Sequence, residues 1–169
     1  VFMMLNDINA FNFTPAEALQ AALKAQKYNL ALSFLRVIKE KKKFTALLAN
    51  SRNLFHVFAL EADPGSQEDL MLRLIGKMQE IGIPLNRKDR FRCLPIHYAC
   101  LKGNVAFVRF MLDKVPSASI LERDNNRRTP IVAAVLGECM VNTTDVVNQN
   151  FKELAAELMK RGAKLDERF

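Results

Sequence analysis

"RKDRFRCLPIHYACLKGNVAFVRFMLDK", residues 87–114, decides how the chain is read. Taken alone it suggests chemistry. Cys93, His97 and Cys100 are four and three residues apart, a spacing that can put three soft ligands on one side of a helix. Compared with "ERDNNRRTPIVAAVLGE" (122–138) it looks different. Asp89 matches Asp124, Pro95 matches Pro130 and Ala99 matches Ala134, each 35 residues apart. Leu85 and Ile120, four positions before each Asp, keep the same phase. A fixed step of this length marks a repeat.

Two further copies lie upstream. "NLFHVFALEADPGSQEDLMLRLIGKMQEIGIPLN" (53–86) places His56 in the slot of His97 and Ala59 in that of Cys100. Its "EADPGSQED" reads as a loop insertion, with Pro-Gly as a turn signal. "EALQAALKAQKYNLALSFLRVIKEKKKF" (17–44) is the most diverged copy. In the fourth copy the alignment breaks after Gly137 and resumes near "FKELAAELMKRGAKLD" (151–166). The intervening "ECMVNTTDVVNQ" is polar and without helical periodicity, so a second inserted loop is expected there.

Every copy has one grammar: a short apolar run, a turn, an amphipathic run, a Gly stop such as Gly82 or Gly162, and a charged turn. In "VAFVRFMLDK", Val105, Val108, Met111 and Leu112 form one helical face. Helices of about ten residues are too short to persist alone. Neither face can be buried within one unit, so the units must stack.

"LPIHYACLKGN", "RRTPIVAAV" and "ELAAELMKRGAKLD" resemble the TPLHLAA, G-H and LLxxGA motifs of the ankyrin-repeat family. The resemblance covers roughly residues 14 to 168. It implies an all-α solenoid of about four stacked helix-turn-helix units with two loop insertions, forming one domain over residues 1–169. The units span about 12–44, 45–86, 87–121 and 122–166, and "LDERF" begins a further one. Fingers would project at right angles to antiparallel helix pairs. The chain departs from the motif at Leu94 and Asn53 in the Thr slot and at Val132 in the His slot. Thr129 and Asn53 are expected to cap their helices, whereas Leu94 cannot. Thr14-Pro15 with Glu17 forms a capping box, with a longer first helix expected behind it. The unfinished last unit and the missing initiator Met lead us to expect a piece cut from a longer protein.

Three cysteines fit free thiols in a reducing compartment, which puts the expected location in the cytoplasm or nucleus. The start, "VFMMLNDINAF", lacks the basic and long apolar regions of a secretory signal, so the Asn142-Thr143-Thr144 sequon carries little meaning. No apolar run approaches the ~18 residues of a membrane helix. The net charge of +7 permits acidic partners.

The chemical candidates are weak. A structural zinc site wants four ligands, and no second pair accompanies Cys93, His97 and Cys100. In the ankyrin frame His97 is the motif histidine, whose ring hydrogen-bonds backbone, and Cys100 fills a small packing slot. No cleft, oxyanion donor or orienting group is visible beside Cys93 or Cys100. Gly76-Lys77 lacks the earlier Gly of a phosphate loop. No catalytic, metal or cofactor site is expected.

The charged turns carry more. "RKDRFR" (87–92) and "ERDNNRR" (122–128) both occupy the finger position, and stacking would set them side by side as a basic ridge. Such turns are often simply solvated. As a docking surface the ridge would use Arg87, Lys88, Arg90, Phe91, Arg92, Arg123, Asn125, Asn126, Arg127 and Arg128. Arg pairs with carboxylates, Phe91 offers apolar contact and the Asn residues hydrogen-bond. The expected function is non-catalytic recognition of an acidic protein or peptide segment by a monomer. The alternatives are a regulatory or targeting module of a larger enzyme, such as a poly(ADP-ribose) polymerase-type protein, and a module binding nucleic acid or poly(ADP-ribose). With one aromatic in these two turns, the stacking platform of a single-strand binder is missing.

Overall fold

Thr14 starts the first helix. Its hydroxyl accepts the Glu17 N–H at 3.2 Å, and Glu17 Oε2 accepts the Thr14 N–H at 2.8 Å. With Pro15 at the first helical position, this satisfies the free donors at the end of α1 (Pro15–Lys24). At 10 residues α1 outlasts the corresponding α3 (Leu54–Glu61, 8) and α5 (Pro95–Leu101, 7), but not α7 (Pro130–Met140, 11). Between them come α2 (Tyr28–Val37), α4 (Glu68–Glu80), α6 (Val105–Lys114) and α8 (Asp145–Lys160). The computed structural model describes residues 13–63, 65, 67–140 and 145–165. Among these the regular structure is all-helical, with no strand and with short 3-10 turns at Lys41–Thr45, Ala49–Ser51 and Ser117–Leu121. No helix among them is long and apolar enough to cross a membrane.

Short helices need partners, and the packing supplies them in two rows. α1, α3, α5 and α7 pack in succession, as do α2, α4, α6 and α8, and each odd helix also touches the even helix that follows it. The apolar faces meet between the rows. Phe58 sits edge-on to Phe107 at 4.9 Å between ring centroids, with Phe55 stacked on Phe107 at 6.1 Å and Tyr28 tilted against Phe58 at 6.3 Å. Phe55, Phe58 and Phe107 are fully buried, each worth roughly 1.5–3 kcal/mol of burial free energy. Edge-on aromatic contacts add up to about 1 kcal/mol. On α6 the buried face is Phe107, Val108, Met111 and Leu112, while Val105 is half-buried. The face is therefore rotated from the expected one, because the larger Phe107 ring fills the gap against Phe55 and Phe58.

Two second helices end alike. The N–H of Gly82 donates to Gln79 O and that of Ile83 to Met78 O, at 2.9 and 3.3 Å. Gly162 and Ala163 repeat this with Met159 and Leu158, at 3.0 and 2.9 Å. Both glycines are left-handed, with φ of 95° and 99°, and the next residue, Ile83 or Ala163, drops into the core. The glycine stop thus becomes an exposed turn with one apolar residue pinned beneath it.

Two expectations fail. The stretch 138–149 is not an inserted loop. α7 continues through Met140 and α8 begins at Asp145, leaving 141–144, with the whole sequon, outside the described residues. Extending an existing helix adds a hydrogen bond per residue without a new nucleation cost, so the polar pattern of an exposed extension does not oppose it. The "EADPGSQED" stretch does leave the helices, between Glu61 and Glu68. Thr129 gains no hydrogen-bond partner for its buried hydroxyl. Val132 stands where a histidine nitrogen would otherwise approach.

α5 and α7 cross closely at Gly137. A Cβ at residue 137 would lie 2.2 Å from Leu101 O and 2.6 Å from Phe151 Cε1. Gly76, in mid-α4, has nothing within 4 Å. Gly137→Ala is therefore expected to lower stability by at least about 2 kcal/mol through overpacking. Gly76→Ala is expected to raise it by roughly 0.5–1 kcal/mol. Urea denaturation of the two variants checks this, and similar midpoints would contradict it.

Candidate functional site

Three turns link one helix pair to the next, and they share one backbone pattern. The N–H of Leu48, Asp89 and Asp124 donates to the carbonyl four residues on, at Arg52, Cys93 and Arg128, over 2.7, 2.9 and 3.0 Å. Each turn is tipped by a left-handed residue that is not glycine: Ser51, Arg92 and Arg127, with φ of 57°, 60° and 63°. Non-glycine residues pay for that region, and the aspartates stabilise it. Asp89 Oδ1 accepts the N–H of Phe91 and of Cys93, both at 2.9 Å. Asp124 Oδ1 accepts those of Asn126 and Arg128 at 2.8 and 2.9 Å. A side chain that holds two N–H groups of its own turn supplies what the strained backbone loses.

The turns also hold each other. The Arg90 N–H donates to Asn50 O at 2.8 Å, and the Asn125 N–H donates to Phe91 O at 3.0 Å. Arg90 and Asn125 are equivalent positions, as are Asn50 and Phe91, so the same rung recurs and the fingers stand side by side. Before each finger the chain drops one apolar anchor, Phe44, Leu85 or Ile120, into the core.

Beneath the fingers lie the two histidines. His56 Nδ1 accepts the Asn53 N–H at 3.1 Å, and Nε2–H donates to Cys93 O at 3.0 Å. His97 Nδ1 accepts the Leu94 N–H at 3.1 Å, and Nε2–H donates to Glu122 O at 3.0 Å. A carbonyl has no proton to give, which fixes the tautomer. Each histidine thus bridges backbone at its own helix start and at the base of the next finger, and His56 Nδ1 also lies 2.9 Å from the Asn53 side-chain oxygen. Burial drives the His56 pKa down from 6.5 to about 4, against the opposing effect of the Cys93 carbonyl. Burial also lowers that of His97. Cys100 is fully buried and its thiol is pushed up by that burial. Cys93 is raised to about 11, first by burial, and its Sγ–H points to Asp124 Oδ2 at 3.7 Å. These thiols are protonated packing groups, not poised nucleophiles or thiolate ligands.

Of the ten expected docking residues, all but Arg128 are exposed. Arg128 turns back to its own Asp124, with Nε and Nη2 at 2.8 and 2.7 Å from Oδ2. Burial alone would raise Asp124, but the Arg128 hydrogen bonds outweigh it and hold the carboxyl below its ordinary range. Lys88 pairs with Glu122 at 2.8 Å across adjacent fingers, a hydrogen bond that lowers the Glu122 pKa. Arg123 Nη1 donates to Arg127 O at 2.9 Å. Arg87, Arg90, Arg92 and Arg127 form no ion pair among the described residues. Phe91 is 42 % exposed. Asn125 and Asn126 face solvent, with their backbone N–H groups engaged.

Sequence reasoning missed Arg52. Its guanidinium lies 5.7 Å from the Phe91 ring centroid and 5.1 Å from that of Tyr98. Nη2 donates to Tyr98 Oη at 3.1 Å, and Nε lies 3.4 Å from Asp89 Oδ2. Tyr98 in turn donates to the buried Asp89 carboxylate at 2.5 Å. Arg52, Cys93 and Arg128 share one slot in the three fingers, the signal that could have found it. Arg52 and Cys93 each reach the aspartate of the following finger. Cation–π contact with two rings is worth roughly 0.5–2 kcal/mol and fixes Phe91 at the rim.

Compared with known proteins, the chain matches no family model and no curated protein.

Acid should loosen this arrangement. Histidines whose folded pKa is depressed contribute stability that is present above the unfolded value of 6.5 and lost as pH falls toward about 4. By linkage, His56 alone removes roughly 2 kcal/mol between about pH 7 and about pH 5, and His97 adds in the same direction. Urea midpoints measured across that window should fall steadily. A flat profile would contradict the buried neutral histidines.

Proposed function

We propose that the chain is an ankyrin-type solenoid that acts as a non-catalytic recognition module, holding an acidic segment of a partner protein along its fingers. The observation that carries this reading is the ladder of fingers, bonded backbone to backbone from Asn50 to Arg90 and from Phe91 to Asn125. A recognition surface gains affinity when its elements are ordered before the partner arrives. Here the aspartates, the inter-finger bonds and the Arg52 stack hold the turns in place.

The ladder presents positive charge that forms no ion pair among the described residues at Arg87, Arg90, Arg92 and Arg127, with Phe91 among them. Guanidinium groups pair carboxylates through two parallel N–H donors. An exposed ring beside them accepts an apolar side chain of the partner. Arg128 and Arg52 belong to the scaffold in this reading, since Asp124 and Asp89 already engage them. The repeated histidine bridges, the short paired helices in two rows and the motif "LPIHYACLKGN" support the ankyrin assignment. A place for the chain as the regulatory module of a larger enzyme is compatible with the same surface.

The test is a peptide array screened with the whole chain, followed by titration of the tightest acidic binder. Arg90→Glu/Arg127→Glu should weaken that binder by at least about tenfold, because each charge-assisted contact is worth roughly 1.5–3 kcal/mol. Unchanged affinity in the folded double variant would remove the fingers as the site.

A further inference from the structure

The fingers do not hold all of the basic charge. On α2, Asn29, Ser33 and Arg36 recur at helical spacing along one face, and on α4 Arg73, Lys77 and Glu80 do the same. The two faces line one groove of about 560 Å³ between the helices, with Lys41 at its end. Half-buried Leu32 and Ile81 lie on the groove walls between the charged groups. The 3-10 turn after α2, which supplies Lys41, also carries Lys42 and Lys43, and Lys39 precedes it.

The charge here is one-sided. Lys43 is paired with Glu40 at 2.5 Å, and Lys77 with Glu80 at 2.8 Å. Those two acids are thereby used. Lys41 donates to Leu35 O, at the carbonyl end of α2. Arg36, Arg73, Lys39 and Lys42 have no carboxylate at ion-pair distance among the described residues. These four cations are exposed, and two of them face each other across a groove with apolar walls.

From this groove we infer a second docking site, on the row of even helices, for a short acidic segment of a partner protein that also carries apolar side chains. Charge complementarity selects the acid: carboxylates on both edges of the segment meet Arg36 on one side and Arg73 on the other, the two groove cations with no carboxylate of their own among the described residues. The walls select the apolar residues, since Leu32 and Ile81 leave surface that a purely ionic ligand would not cover. Nucleic acid fits less well. A single strand needs aromatic platforms for its bases, and no aromatic residue lines the groove. The site is independent of the fingers, which connect the rows elsewhere, and it stands or falls without them.

The test uses the whole chain and three probes: a labelled synthetic peptide of acidic pairs separated by leucines, the same peptide with glutamine for leucine, and poly-uridine RNA. The leucine peptide should bind at low salt. Arg36→Glu/Arg73→Glu should weaken it by at least about tenfold, and the milder Arg36→Gln/Arg73→Gln by a few-fold. Arg90→Glu/Arg127→Glu should leave this binding component unchanged, which separates the groove from the fingers. Thermal melts confirm folding of each variant, all four positions being exposed. Absence of binding, or parent-like binding by both groove variants, would overturn the proposal. So would equal binding of the glutamine peptide or of the RNA, either of which would mark a generic polyanion patch.

Discussion

The rest of the structure depends on two buried imidazoles that each bridge a helix start to the following finger. His56 and His97 accept a backbone N–H at Nδ1 and donate Nε2–H to a carbonyl 37 and 25 residues further along the chain. A helix of seven or eight residues has too few hydrogen bonds of its own to persist. The bridge makes its first turn part of the neighbour's fold. It also sets where the next finger stands, because the two histidines meet the finger base through the carbonyls flanking the turn. With the base fixed, Asp89 and Asp124 can close their turns, and the inter-finger bonds can form in register. Removing the His97 ring would leave the Leu94 N–H and the Glu122 carbonyl unpaired at once. Removing the His56 ring would strand the Asn53 N–H, while the Cys93 carbonyl keeps the Asp89 N–H. An unpaired buried group is the costly direction for a hydrogen bond.

The fourth helix pair shows the same constraint by its absence. Val132 occupies the histidine slot, the Thr129 hydroxyl stays unpartnered and Arg128 closes on its own Asp124 instead of reaching forward. The finger is kept, yet nothing among the described residues receives a bridge from it. Packing at Gly137, where α7 lies against Leu101 O and Phe151, holds this pair to its neighbours instead.

Much of this was legible in the sequence. The 35-residue step from Asp89 to Asp124 matches two turns with identical hydrogen bonds. The recurrence of His56 without flanking cysteines pointed to a backbone role for His97, and both rings have one. The capping box at Thr14 is present as read. What the pattern could not show was side-chain reach across units. Arg52 looks like an ordinary surface arginine until its slot is placed under Asp89, Tyr98 and Phe91. The extension of α7 was hidden because exposed helix carries no apolar period to read, and Cys139 and Met140 both face solvent. The groove between α2 and α4 was hidden because its cations come from stretches far apart in the chain.

The bridging role of the histidines can be read directly from nitrogen chemical shifts of the two imidazoles. His56 and His97 should both be neutral with the proton on Nε2, and neither should titrate near 6.5 while the chain stays folded. A ring that protonates reversibly near that value in the folded protein, or that carries its proton on Nδ1, would contradict it.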